Sequence, residues 1–551
     1  MGKVKKVFGV TKQIVRWVWR VILSLLLILC IIFQAPLKLL ALLAIFLLAC
    51  TALPPRWRKW FWATVGIVIL GLVVWVFIPE NDKDWKSFTF DDELAALEAK
   101  YKAPEKENAA VIYNQLIADY NKSDLEPNCL NDNFVDCETM GTFWRSKDYP
   151  EVAKWIKSNK QTINKLIQAS EFERCKFEVT SKSLLIPETD RFGAFRRWTM
   201  LLSRAGNNDI AEGRTDEGLK KYYCILQIDK HLCQQSSLIE LLVGIAIEAV
   251  GIDRLENFII AGNPNKKQLD AIEKMINEVK YDWQSDWPRT LDYEKLFMKN
   301  FCGISYEVNL KGQFRFTRDP SKMMRTWMPN ESNKISSLSY FQKKLIKAGS
   351  IICWFSVPST PQELSRTIDV AYQKFYKMAD PNFDWSRKPK STEFPMSPMS
   401  SFILEYKLNY KYIIKMLVDM EESSYYTIHN YIYLRGESSK RGALLLVALR
   451  RYKDKNGNWP ENLDEIADLT DVDNFIDPVN GQLFVYKFTD DGFTLYSKGE
   501  NGIDDNGERY SKYCSDANQI KETADDIKIW PFKGCKKVPQ KETVKETNEQ
   551  N

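Results

Sequence analysis

The chain has 551 residues, 27% charged and 45% hydrophobic, which excludes a globally disordered chain and a wholly intramembrane one. Ten of its 77 basic residues and none of its 72 acidic ones lie in residues 1–59, so the formal charge of +5 becomes −5 over the remainder. That distribution excludes a nucleic-acid-binding balance, and the length implies two to four domains at roughly 100–200 residues each.

Three apolar runs follow the basic start: Val18–Phe33, Leu39–Leu53 and Trp60–Ile78. A helix crossing a bilayer core needs about 17–25 mostly apolar residues. The third run meets this outright, the first if Arg20 snorkels to the interface, and the second if Pro36–Lys38 joins it. We expect three spans, the first two forming a hairpin at Gln34–Lys38; the competing arrangement makes Val18–Leu53 re-entrant. Lys3, Lys5, Lys6, Lys12 and Arg16 precede the first run, and Arg56, Arg58 and Lys59 separate the second from the third. Basic clusters stay cytoplasmic, so either arrangement delivers everything after residue 80 to the extracytoplasmic side of a bacterial inner membrane. Tryptophans 17, 19, 57, 60, 62, 75 and 85 cluster at the run ends, as an interfacial aromatic belt requires.

Beyond the anchor, Asp91–Tyr101 and Asn108–Tyr120 carry helical periodicity. Cys129 and Cys137 flank an Asn/Asp-rich loop and are candidates for a disulfide in an oxidising compartment. From Tyr149 to about Tyr433 the pattern is helical. Ala194–Ala211 and Glu217–Cys233 predict two antiparallel helices around Gly213, followed by Leu238–Ile260 and Lys267–Val279. The pair around Gly213 resembles a tetratricopeptide-type hairpin, without a sustained 34-residue period, so the expectation is an irregular helical bundle over residues 81–435. Asn108-Ala109-Ala110 with Arg191–Phe258 is similar to large exported proteins of unassigned function from planctomycete-like bacteria; this resemblance implies no activity. The Pro-rich stretch 379–401 predicts a loop or linker, and Ile351–Val357 is too short to span a bilayer.

Glu240 and Glu248, two turns apart, can share a helix face and offer paired carboxylates for general acid–base work. The plainer reading pairs such charges with arginines of the preceding helix. The chain has two histidines, His231 and His429; His231 sits at a predicted helix end, where a cation complements the helix dipole. No HExxH, GxSxG, Walker loop, zinc-spaced Cys/His set or dinucleotide fingerprint occurs, so no catalytic residue is assigned.

After Ser438, Gly442–Tyr452 predicts a helix, Leu463–Ile466 a short one, and Leu483–Phe488 and Phe493–Ser497 a hairpin turning at Asp490-Asp491-Gly492. The run Ala448–Tyr452, Asn456–Pro460, Asp477–Gly481, Phe484–Tyr486, Asp491–Ser497, Gly499–Gly502 and Asp525–Ile527 resembles the globular head of the type II secretion major pseudopilin, over about 90 residues. That resemblance implies a small α+β module over residues 436–535 with a calcium loop, in which Asn501 takes the place of the first acidic ligand and Asp525 or Asp526 that of the second. Asp504 and Asp505 add carboxylates to the same Gly-rich loop. Hard Ca²⁺ takes about 6–8 oxygens, and such a loop would otherwise repel itself. Cys514 and Cys535 bracket its latter half and are a second disulfide candidate. The chain lacks the single-helix, Phe-Thr-Leu-x-Glu entry of a pseudopilin, so a polymerising pilin is not expected. Residues 536–551, rich in Lys, Glu and Gln, predict a disordered tail.

The fold expectation is thus mainly α: a membrane anchor over residues 1–80, a helical domain, an α+β head and a tail. The function expectation is a non-enzymatic, membrane-anchored scaffold or binding protein. Its calcium-stabilised head would dock a protein partner, as in a secretion or pilus-like assembly. The alternatives are an exported hydrolase using Glu240 and Glu248, or a purely structural envelope protein.

Overall fold

The computed structural model describes residues 84–119, 126–185, 189–278, 281–316, 360–387, 389, 410–489, 492–510 and 523–531, with Trp60, Ala63, Gly66 and Ile67. Among the described residues no helix is long and apolar enough to cross a membrane. The three expected spans lie almost wholly outside that set, as do Cys514, Cys535, Ile351–Val357 and the C-terminal tail.

The fold is mainly helical with two small antiparallel sheets. In chain order the elements are β1 (Trp85–Ser87), α1 (Asp91–Lys100), α2 (Ala110–Asp119), α3 (Asn133–Gly141), α4 (Pro150–Ser158), α5 (Lys160–Ser170) and α6 (Ser181–Leu185). Then come α7 (Thr189–Ala211), α8 (Thr215–Cys233), α9 (Leu238–Ala261), α10 (Lys266–Glu278), α11 (Trp283–Gly303), β2 (Tyr306–Asn309) and β3 (Phe314–Phe316). The remainder are α12 (Pro361–Tyr376), α13 (Tyr410–Thr427), α14 (Leu434–Asn456), β4 (Val485–Thr489), β5 (Gly492–Ser497) and β6 (Ile527–Trp530). They fall into two compact units. The larger comprises Asp92–Glu294, Phe375–Pro389 and Ser423–Asn551; the smaller comprises Met1–Asp91, Lys295–Lys374 and Lys390–Glu422.

The larger unit is organised by α7, α8 and α9. Gly213 reverses the chain between α7 and α8 at φ +80°, a left-handed conformation that favours glycine. The expected antiparallel pair therefore forms, and Leu202, Ala205, Tyr222, Ile225 and Leu226 bury completely or nearly so. Each such large apolar side chain contributes roughly 1.5–3 kcal/mol. Ser237 starts α9 with a capping box: its hydroxyl accepts from the Glu240 N–H, and the Glu240 carboxylate accepts from the Ser237 N–H.

The C-terminal module is one long helix on a three-stranded sheet, in the order β4-β5-β6. Phe493 and Leu495 of β5 and Ile529 of β6 are buried beneath α14. Helix and sheet approach so closely at Gly442 that a Cβ there would lie 2.8 Å from Ile529 atoms. The module does not form a core of its own. Ala443–Leu449, Phe484, Leu495 and Ile529 join one continuous apolar cluster with residues of α7, α8 and α9. The expected boundary at 435/436 falls inside α14, which follows directly on a π-helical turn, Ile428–Tyr433. The reason is that α14 is apolar on more than one face, so it packs on both the sheet and α9.

In the smaller unit, β1, β2 and β3 pair antiparallel, with Trp85 opposite Asn309 and Tyr306 opposite Phe316. The helical expectation from Tyr149 to about Tyr433 holds in the main, and β2 and β3 are strands inside it that the sequence pattern did not single out. The Asn309 side chain accepts from the Lys311 and Gln313 N–H groups, and Gly312 turns at φ +73°, which closes the β2–β3 hairpin locally.

Candidate functional site: the aspartate loop and the buried ion network

The 499–526 loop is built upon Asp477. This fully buried carboxylate accepts from the Val479 N–H at 3.1 Å, the Asn480 amide at 2.9 Å and the Ser497 hydroxyl. Ser497 in turn accepts from the Gly499 N–H at 2.9 Å, and Asn480 donates to the Gly499 carbonyl at 2.8 Å. Gly499 is thereby fixed at φ +63°, where a Cβ would lie 2.4 Å from the carbonyl and Oδ1 of Asp525. No larger residue fits.

The five predicted ligands do not close on one point. Asp525 Oδ2 accepts from the Glu500 and Asn501 N–H groups at 2.9 and 3.3 Å, while Asn501 is occupied by Ile503 N–H and the Thr523 carbonyl. Asp526 belongs to a different turn, where its Oδ2 accepts from the Asp505 and Gly507 N–H groups at 3.0 and 2.7 Å. Asp504 is engaged by the Tyr496 hydroxyl at 2.7 Å and by Lys487 at 3.4 Å. Among the described residues, no three His, Cys, Asp or Glu side chains are arranged to hold a metal ion. Neighbouring aspartates in an extended segment address opposite sides, which is why adjacency in sequence did not become a shared site.

One half of the loop nevertheless has the chemistry a hard cation needs. Asp526 is 1% exposed, and its Oδ1 is buried without a hydrogen-bond partner. Burial pushes its carboxyl up to about 6, reinforced by the charges of Asp505 and Asp504 and opposed by two backbone N–H groups. Asp525 lies near the Arg435 guanidinium, which feels its charge. Asp526 Oδ1 and the neighbouring Asp505 carboxylate are the groups a hard cation would meet here.

Glu240 and Glu248 are both buried, but they do not form a catalytic pair. Glu240 is held by Arg191 at 2.5 Å and spends its other oxygen on the α9 cap. Glu248 is held by Lys440 at 3.0 Å, and Lys440 also pairs with Glu437 at 2.5 Å. The cations thus come from α7 and α14, so part of the pairing was not local to a neighbouring helix. Asp229 sits beside this group, fully buried, and burial followed by the Glu248 charge holds its carboxyl well above the ordinary range. Its Oδ1 accepts from the Cys233 thiol at 3.1 Å. Sequence reasoning missed Asp229 and Lys440; the one available signal was a polar residue inside each of two otherwise apolar helical stretches.

His231 is not the dipole-complementing cation that its position suggested. It is 1% exposed, bonded through Nδ1 to the Tyr113 hydroxyl at 2.9 Å and through Nε2 to the Phe172 carbonyl at 2.8 Å. Burial lowers it to about 4, so it is a neutral strut with Nε2 donating and Nδ1 accepting. The Cys129–Cys137 pairing does not form: Cys129 carries a free thiol, while Cys137 is disulfide-bonded. Cys129 lies in a short 3₁₀ turn, Asn128–Asn131, and Cys137 lies inside α3, so the two stand on separate local elements. No family model, curated protein or solved structure matches the chain.

Proposed function

We propose that the protein is a multi-pass, membrane-anchored extracytoplasmic scaffold. Its folded body presents the C-terminal module to a protein partner, and Ca²⁺ stabilises the 499–526 loop. The observation that carries the calcium part is Asp526, a buried carboxylate with one oxygen unpartnered and two further aspartates beside it. Extracytoplasmic compartments supply the cation that such a cluster needs, and the charge asymmetry of residues 1–59 orients the chain toward that side. The tetratricopeptide-like hairpin of α7 and α8 and the pseudopilin-like order of α14, β4, β5 and β6 both support a protein-binding role. Secretion or pilus-like assemblies are the class of partner implied by the second likeness.

The test is a pair of reporter fusions at Asn551, one enzyme active only outside the cytoplasm and one fluorescent only inside it. Activity of the first and silence of the second is the expected result. The reverse outcome removes the orientation, and with it the source of calcium.

A further inference from the structure

We propose that the larger unit contains a binding site for a small polyanion, recognised through carboxylate or phosphate oxygens. The site is a cleft of about 630 Å³ walled by the end of α1 with residues 101–103, the 173–176 segment, the end of α8 and the start of α11. That volume lies within the 300–1,000 Å³ of small-molecule sites.

Six cationic side chains line it: Lys100, Lys102, Arg174, Lys176, Lys230 and Arg289. Against them stand Glu173, Asp286 and Asp229, and burial followed by the Glu248 charge raises the last carboxyl well above its ordinary range. Four of the cations are ion-paired: Lys100 with Asp292 at 2.9 Å, Lys176 with Glu98 at 2.8 Å, Lys230 with Glu173 at 2.8 Å, and Arg289 with Asp286 at 3.1 Å. Lys102 and Arg174 are exposed and have no ion-pair partner among the described residues, so these two cations are left to meet a solute. A concave wall of one sign concentrates oppositely charged solutes.

Charge alone would describe a solvated basic surface. Two buried polar groups on the same wall point further. The Tyr281 hydroxyl, on a residue 6% exposed, has no aligned hydrogen-bond partner, with the Thr290 side chain beside it. Arg289 spends Nη2 on the Cys233 carbonyl at 2.7 Å, which leaves Nε buried and unpartnered. Unmade buried hydrogen bonds cost roughly 1–3 kcal/mol each. Both residues line the cleft, and an anionic oxygen seated against them would satisfy both donors. A guanidinium edge is also the usual partner of planar carboxylate or phosphate oxygens. The wall is rigidly held: the Gln234 side chain accepts from the Cys175 N–H and donates to the Glu173 carbonyl, which ties the 173–176 segment to the end of α8.

The experiment is isothermal titration of the purified full-length chain with inorganic phosphate and, separately, with citrate, in calcium-free buffer at low ionic strength. Saturable binding of one or both is expected, and the preferred probe distinguishes phosphate from carboxylate chemistry. The Lys102→Gln/Arg174→Gln double variant changes only exposed, unpaired side chains, so it should fold normally and bind at least about tenfold more weakly. Tyr281→Phe removes a hydroxyl whose neighbour is the Thr290 side chain, so its thermal midpoint should change little while affinity drops about three- to tenfold. No heat from either probe at 10-millimolar order, or equal affinity in parent and both variants, overturns the site.

Discussion

Replacing Asp526 with Asn separates a cation site from an ordinary turn. In the metal-free protein the Asp526 carboxyl rises from 3.8 to about 6, first through burial and then through Asp505 and Asp504. One pKa unit corresponds to about 1.36 kcal/mol, so ionised Asp526 costs the folded state about 3 kcal/mol at neutral pH. The folded state holds its proton more tightly than the unfolded chain. This group's contribution is therefore most favourable below pH 4 and is lost as pH rises toward 6. Asn keeps an acceptor for the Asp505 and Gly507 N–H groups and places a donor where Oδ1 now has no partner. Asp526→Asn should thus stabilise the chelator-treated chain at pH 7.5 by up to about 3 kcal/mol, with the gain vanishing near pH 4. Calcium at about 100 times its dissociation constant should raise the parent by about 2.7 kcal/mol and leave the variant unmoved. The assay is urea unfolding of parent and variant, with calcium or chelator, at several pH values. A variant less stable than the metal-free parent at pH 7.5, or a parent indifferent to calcium, refutes the reasoning.

Three further outcomes follow from the buried network. Lys440→Met leaves Glu248 and Glu437 buried without their cation, and should lower stability by about 3–5 kcal/mol in the same unfolding assay. His231 is lowered to about 4 from 6.5, so its contribution is complete above pH 6.5 and lost as pH falls toward 4. His231→Gln should be less stable at pH 7.5, with a gap to the parent that narrows across that window; a constant gap would refute the neutral-strut assignment. In the unreduced chain, mass spectrometry after alkylation should find Cys129 modified and Cys137 protected until a reductant is added.

Local signals carried most of the helical layout. The apolar spacing of Ala194–Ala211 and Glu217–Cys233 and the glycine between them suffice to make α7, α8 and their turn, because helix periodicity and a left-handed glycine are properties of short segments. The pairing of β4 with β5 was equally legible in the alternation of the two strands. The capping box was written in Ser237 and Glu240, yet Glu240 read as a candidate acid because spacing says nothing about which oxygen a backbone N–H will claim.

What the sequence determined by itself is the charge asymmetry of residues 1–59, the helical character of the body and the aspartate-rich composition of the loop. Tertiary packing alone decided which charges meet. Lys440 reaches Glu248 across 192 residues, the last turn of α8 meets the 173–176 segment, and adjacent Asp525 and Asp526 are claimed by different turns. Burial and long-range pairing depend on where distant segments come to rest, and no local pattern encodes that.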